Sequence, residues 1–379
     1  MSRRWTIVAA ALTVSVVLAV GGLELALRVY QWLSADTRII VTDPVLHHRL
    51  RGNLDVVVTT YGAPMHLLTN ALGWPEERDF PEQKPAGTVR IFQIGDSNTQ
   101  GRVNHAEKMT ELLEARLNAD AGQGGPRYEV INTGTSSWSN YVYYLAVREQ
   151  VLRFQPDLVV INVDMTDVAN DYMYRRFAVR DADGSLRALV DRSETNQHDW
   201  AMTPTGVARL RERSGIGHWL VAHTALGYYA DKLVARLRWS GALGVAGYDL
   251  DESANWLAAD WPPSVEAAVA DSFGALDAAI ALLRRHGVAV ALTGVPHLPQ
   301  FRGRWSARPH EALAAFARSR DVPYLDMYRV LAEAGTDPGP LYWGNDDTHF
   351  NAAGHRRWAE AQYRFLSDPA NRLLPARPR

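Results

Sequence analysis

Cysteine is absent from this chain. Disulfides, thiolate nucleophiles and zinc–thiolate sites are therefore excluded. An excess of either charge is missing too: 40 Lys and Arg stand against 42 Asp and Glu, a formal net charge of −2. No global basic field points to nucleic acid. There is no internal repeat and no low-complexity tract. The histidines lack metal-binding spacing of the H-E-x-x-H kind, so neither a metal nor a cofactor is expected. With 47% hydrophobic and 22% charged residues, the 379 residues suit one large α/β domain with additions.

One long apolar run is present, at the N-terminus. Two arginines, Arg3 and Arg4, precede a nearly uninterrupted hydrophobic stretch from Trp5 to Leu23. As a helix it is about 30 Å long, the thickness of a bilayer core. Arginines before it and none within it favour a cytoplasmic N-terminus. The expectation is a single-pass inner-membrane protein whose remaining chain lies outside the cytoplasm. A cleaved signal peptide is the other reading, although no clear A-x-A site precedes Gly21. Glu24 lies near the outer end, within reach of the interface.

The patterning divides the chain into an anchor (1–33), a β-rich lead-in (34–87) and a main domain (88–379). In the lead-in, Asp55–Tyr61 reads as a strand and Asn70–Pro75 as a turn. In the main domain, strands are expected at Val89–Ile94, Tyr128–Asn132, Asp157–Val163, Val288–Val295 and from Pro323. Helices are expected at His105–Leu117, Val142–Phe154 and Ala352–Leu366. Another follows Ser264 as N-cap, with Val265, Val269, Phe273, Leu276, Ile280 and Leu283 as its apolar stripe and Gly287 at its end. Five strands alternating with helices imply a parallel sheet covered on both faces. The stretch from about 172 to 261 is too long for a simple crossover and reads as a largely helical insertion.

Chemistry-bearing residues fall at the carboxyl ends of these strands, where open α/β sheets bind ligands. Strand one ends in Gly95-Asp96-Ser97-Asn98, strand two in Asn132-Thr133-Gly134 and strand three in Asp164-Met165-Thr166-Asp167. Asp346-Asp347-Thr348-His349 lies just before the last helix. A serine needs a base, usually histidine, and the histidine needs a group to orient it. Asp346 and His349 are close enough for one turn to present both, with Asp347 an alternative to Asp346. N–H groups at Ser97 and Gly134 suit a developing oxyanion. Ser97 as a mere helix cap and His349 as a structural histidine are the bland alternatives. Asp96 and Asp167 read as structural acceptors, and His297 as a loop histidine or a cleft contact. Trp138, Trp305 and Trp343 read as core or interface residues more readily than as sugar-stacking surfaces.

Together these blocks resemble the SGNH (GDSL) hydrolase superfamily. Gly95-Asp96-Ser97 matches its first block, Gly134 its second, and Asp346-x-x-His349 with Gly354 its last. Thr69–Trp74 (TNALGW) is similar to the lead-in of membrane-anchored bacterial members. The resemblance implies a three-layer α/β/α sandwich with a five-stranded parallel sheet, of flavodoxin-like type. It implies Ser97 as nucleophile, His349 as base, Asp346 as its orienter, and Ser97 and Gly134 N–H groups as oxyanion donors. The third block departs: where the family has G-x-N-D, this chain has Asp164-Met165-Thr166-Asp167. Thr166 then stands in for the oxyanion asparagine, with Asn170 the alternative. Loss of such a donor costs roughly a hundred- to thousandfold in rate. The implied activity is ester hydrolysis through an acyl-serine, on an ester or O-acylated extracytoplasmic glycan. Transfer to a glycan hydroxyl and catalytically weak glycan binding are the alternatives.

Overall fold

The computed structural model describes residues 3–33, 39–60, 63–190 and 253–374, together with 219–220, 224–227, 229–230 and 233. The chain divides into two units, Met1–Thr42 with Arg192–Leu250, and Asp43–Asp191 with Asp251–Arg379.

In the first unit, Arg3–Leu33 forms one helix, α1. Its stretch Arg4–Tyr30, with mean hydropathy 2.3, is long and apolar enough to cross a membrane. Glu24 interrupts the apolar surface toward its C-terminal end. Its two carboxylate oxygens accept the backbone N–H groups of Ala225 and Leu226, each at 2.9 Å, and Arg28 Nε donates to it at 2.7 Å.

The second unit holds the sheet. In chain order its strands include β2 (His47–Leu50), β3 (Asp55–Thr60), β4 (Ala63–Leu68), β5 (Thr88–Gly95), β6 (Arg127–Asn132), β7 (Leu158–Asp164), β8 (Ala178–Arg180), β9 (Leu186–Leu189), β10 (Ala289–Val295), β11 (Tyr324–Asp326), β12 (Tyr342–Trp343) and β13 (Asp346–Phe350), with β1 (Ile40–Asp43) preceding them. Early helices are α2 (Ser97–Gln100), α3 (Met109–Ala121), α4 (Asn140–Glu149) and α5 (Asp167–Tyr174). Five strands form a parallel sheet in the order β6-β5-β7-β10-β11. That is the flavodoxin-like order, and the three-layer expectation holds. Every residue of β5 and β7 is buried, as central strands covered on both faces must be.

The period of two sorts side chains between the faces. Ile91, Val130, Leu158 and Val160 pack with Leu113 and Leu117 of α3 and Trp358 of the last helix, Ala352–Ser367. On the other face, Phe92 meets Trp74 and Phe154, with ring centroids 5.6 and 6.4 Å from its own. The lead-in motif thus plugs the sheet: Asn70 Oδ1 accepts from Leu72 and Trp74 N–H, and this turn delivers the indole. The helix Pro263–Arg285 packs with α4 and α5 on that side.

Arg90 is fully buried on β5. It donates to Glu129 at 2.9 Å and to the carbonyls of Pro81 (3.0 Å) and Phe154 (2.7 Å). Arg90→Met removes the buried partner of Glu129 and the donor to both carbonyls. The expected loss, read by denaturant unfolding, is about 3–5 kcal/mol, with part recovered in Arg90→Met/Glu129→Gln.

Several boundaries differ from the sequence reading. The long helix starts at Pro263 with Pro262 as N-cap, not at Ser264, because proline's fixed φ suits a first helical position. His105–Glu107 is a 3-10 turn, and α3 begins only at Met109 because Lys108 is extended. The expected helix Val142–Phe154 is α4 followed by a 3-10 turn at Val151–Phe154. Of the expected helical insertion, 178–189 is instead the β8–β9 hairpin. The stretches 191–218 and 234–252 lie outside the described residues.

Candidate active site

The chain passes from β5 to β6 on one side and then to β7 on the other. This reversal opens a crevice at the carboxyl ends of β5 and β7. Ser97 stands one residue beyond β5, as the first residue of α2. Asp96 caps that helix, its Oδ1 accepting from Asn98 N–H at 2.8 Å. Gly95 is required by close approach: a Cβ there would lie 2.0 Å from Thr99 Oγ1.

The second contribution comes from β13, which pairs antiparallel with β12. Asp346 Oδ1 accepts from Thr348 N–H (2.8 Å) and Thr348 Oγ1 (2.6 Å), so the carboxylate is held by its own turn. Its Oδ2 lies 2.7 Å from His349 Nδ1. The imidazole's other nitrogen, Nε2, lies 2.8 Å from Ser97 Oγ, across 252 residues of sequence. An ionised Asp346 places the ring proton on Nδ1 and leaves Nε2 free to accept from the serine. Ser97, Asp346 and His349 are thus brought together. Asp347 faces away and pairs with Arg304.

Ser97 Oγ also lies 3.0 Å from Asp96 Oδ2. Burial, reinforced by the nearby Asp164 charge, pushes the Asp96 carboxyl up to about 7. In its protonated form Asp96 donates rather than accepts, which leaves the serine proton to His349.

The other expected oxyanion donors are engaged locally. Gly134 N–H donates to Asn132 Oδ1 at 2.9 Å. Thr166 donates through both N–H (2.9 Å) and Oγ1 (2.8 Å) to Asp164 Oδ1. Among the described residues no contact joins Asn170 to Ser97 or His349. Its neighbour Asp171 instead accepts from Ser139 Oγ, Tyr141 N–H and Ser272 Oγ, tying α4 and α5 to the helix Pro263–Arg285. Trp138 is core, its indole donating to His48 O at 2.9 Å.

Three residues matter here beyond the sequence reading's assignment: Asn98, Asp164 and His297. His297 Nε2 lies 2.9 Å from Asp164 Oδ2, and both side chains are buried. The available signal was an acid at Asp164, where the resemblance gives glycine. A new buried charge demands a partner. That partner is set by sheet register, which pairs Val295 with Asp164 two residues before His297.

Away from the crevice, ligand atoms of Glu76, His105 and Glu111 lie within 4.8 Å of one another. The buried Lys108 ammonium already supplies positive charge to Glu76 and Glu111, so the cluster fits a cation poorly.

A model of the GDSL-like lipase/acylhydrolase family matches residues 249–357, a stretch containing the Asp346–His349 block. With the strand order and the Gly95-Asp96-Ser97 turn meeting that block, this match supports the SGNH (GDSL) hydrolase superfamily. No curated protein matches this chain. Solved structures similar to it include a member of the lipolytic G-D-S-L family from Veillonella parvula (13% identity, TM-score 0.40, 74% of this chain and 99% of that one). An acetylxylan esterase from Geobacillus stearothermophilus is also similar (13%, 0.40, 74% and 94%). So is a G-D-S-L lipolytic protein from Desulfitobacterium hafniense (12%, 0.37, 73% and 99%).

Proposed function

We propose that this protein is a serine esterase that forms an acyl-serine on Ser97. The observation carrying the reading is the hydrogen-bonded run from Ser97 Oγ to His349 Nε2 and from His349 Nδ1 to Asp346. His349 takes the serine proton as Oγ attacks the ester carbonyl, then returns it to the leaving alcohol. Water or a sugar hydroxyl, deprotonated by the same imidazole, releases the acyl group. Ser97 N–H, at the start of a helix, holds the oxyanion. Gly134 N–H and Thr166 Oγ1 share their hydrogens with it, at the expense of Asn132 and Asp164.

We further propose a small acyl group on an extracytoplasmic glycan as the substrate. The apolar helix before the hydrolase domain supports this reading, because an anchor with Arg3 and Arg4 inside places the domain outside the cytoplasm. The test is acetate release from an O-acetylated polysaccharide, with and without an unacetylated acceptor. Free acetate in both cases supports hydrolysis. Acetyl appearing on the acceptor supports transfer. Neither product, with binding retained, defeats the enzymatic reading in favour of glycan binding.

Gly134 tests the geometry. A Cβ there would meet backbone atoms of the α2 turn, Gln100 N at 2.2 Å and Thr99 C at 2.6 Å. Backbone cannot yield as a side chain does, so Gly134→Ala displaces the turn carrying Ser97. The expected result is a rate lowered about a hundredfold, with a lower melting temperature.

A further inference from the structure

We infer that Asn98 is a positioning residue that bolts the Ser97 turn to the strand carrying His349, and that the buried Asp164–His297 pair reinforces the orientation of its amide. The inference rests on the Ser97–His349 reading above.

Asn98 directly follows Ser97 and is buried. Its Nδ2 donates to Thr348 O at 3.1 Å, and its Oδ1 accepts from Phe350 N–H at 3.3 Å. Thr348 and Phe350 are the two residues flanking His349. One side chain beside the nucleophile therefore grips the backbone on both sides of the base. Only an amide offers a donor and an acceptor in one plane at this reach.

The same Nδ2 also donates to Asp164 Oδ2 at 3.0 Å. A flipped amide would set Oδ1 against two acceptors, Thr348 O and Asp164 Oδ2, and NH2 against the Phe350 N–H. Asp164 therefore reinforces the orientation that Thr348 O and Phe350 N–H favour, provided it stays an acceptor. Burial alone would favour its neutral form. The neighbouring His297, together with the Thr166 N–H and hydroxyl, outweighs burial and keeps the carboxylate charged. Burial disfavours a charged His297, and the Asp164 carboxylate beside it outweighs burial and shifts the imidazole's pKa upward. The acid that departs from the family's third block thus acts on the base through the first.

The test is fluorophosphonate labelling of the full-length protein in detergent, resolved into kinact and KI. This probe reports Ser97 activation without knowledge of the substrate. Asn98→Ala is expected to lower kinact about a hundredfold, with KI within twofold of wild type. A merely structural role would lower the folded fraction and leave kinact of the folded protein unchanged. His297→Gln is expected to lower kinact as well, and Asp164→Asn/His297→Gln to recover most of it. The double variant leaves no buried charge unpaired, and its single amide oxygen, turned toward Asn98, restores a neutral acceptor there at the cost of the Thr166 N–H bond. Should Asn98→Ala fail to fold, the His297 pair of variants decides. Wild-type kinact in folded Asn98→Ala overturns the inference, as does a double variant no better than His297→Gln. If Ser97→Ala labels like wild type, the Ser97 reading fails instead.

Discussion

Ser97→Ala is expected to abolish covalent labelling by a fluorophosphonate and to lower ester turnover by on the order of 10⁴- to 10⁶-fold. Intact-mass spectrometry of the wild type should show one adduct, mapped to the peptide containing Ser97. The variant should show none. The magnitude follows from what is lost. The hydroxyl is the atom that forms the acyl bond, and it stands 2.8 Å from His349 Nε2. Thr348 Oγ1 lies 2.9 Å from the ring, but on the Nδ1 side. It is also committed to Asp346 Oδ1. The fold should be little disturbed, because the Asp96 cap on α2 survives through Asn98 N–H. A wild-type protein that is folded and unlabelled, or an Ala variant labelled equally well, would remove Ser97 as nucleophile.

Asp346→Asn is expected to lower turnover by about 10⁴-fold while leaving KM and the melting temperature close to wild type. Asparagine keeps the size of the residue, and its Oδ1 still accepts from Thr348 N–H and Oγ1. Its NH2 then faces His349 Nδ1, which must accept instead of donate. The ring proton moves to Nε2, and an Nε2–H cannot take the proton from Ser97 2.8 Å away. A tautomer change, not a lost contact, is the cause. The check is steady-state kinetics beside an NMR measurement of the imidazole tautomer. An Asn variant retaining a tenth of wild-type turnover would leave His349 without a required orienter at this position.

The main-sheet strands were legible in sequence because their apolar runs are short and bounded by turn residues. Val89–Ile94 and Asp157–Val163 differ from β5 and β7 by one residue at each end. Helix starts were less legible, since Lys108 and Pro262 cap through backbone conformation and not through a side chain read from a string. The Ser97, Asp346 and His349 set was legible as motifs. Its spacing was not, because 252 residues of chain must return before Nε2 meets Oγ. Asn98 showed no signal of its own beside a serine, and its meaning lies in three bonds to distant elements.

Amino-acid order by itself determined the alternation of strand and helix, the apolar N-terminal segment and the identity of the candidate nucleophile, base and orienter. These are local matters of period, turn chemistry and residue type. Tertiary structure alone decided that Asp164 meets His297 and that Asn98 holds both flanks of His349. Each of those depends on parallel register and crossover order, which set distances between residues that no local pattern relates.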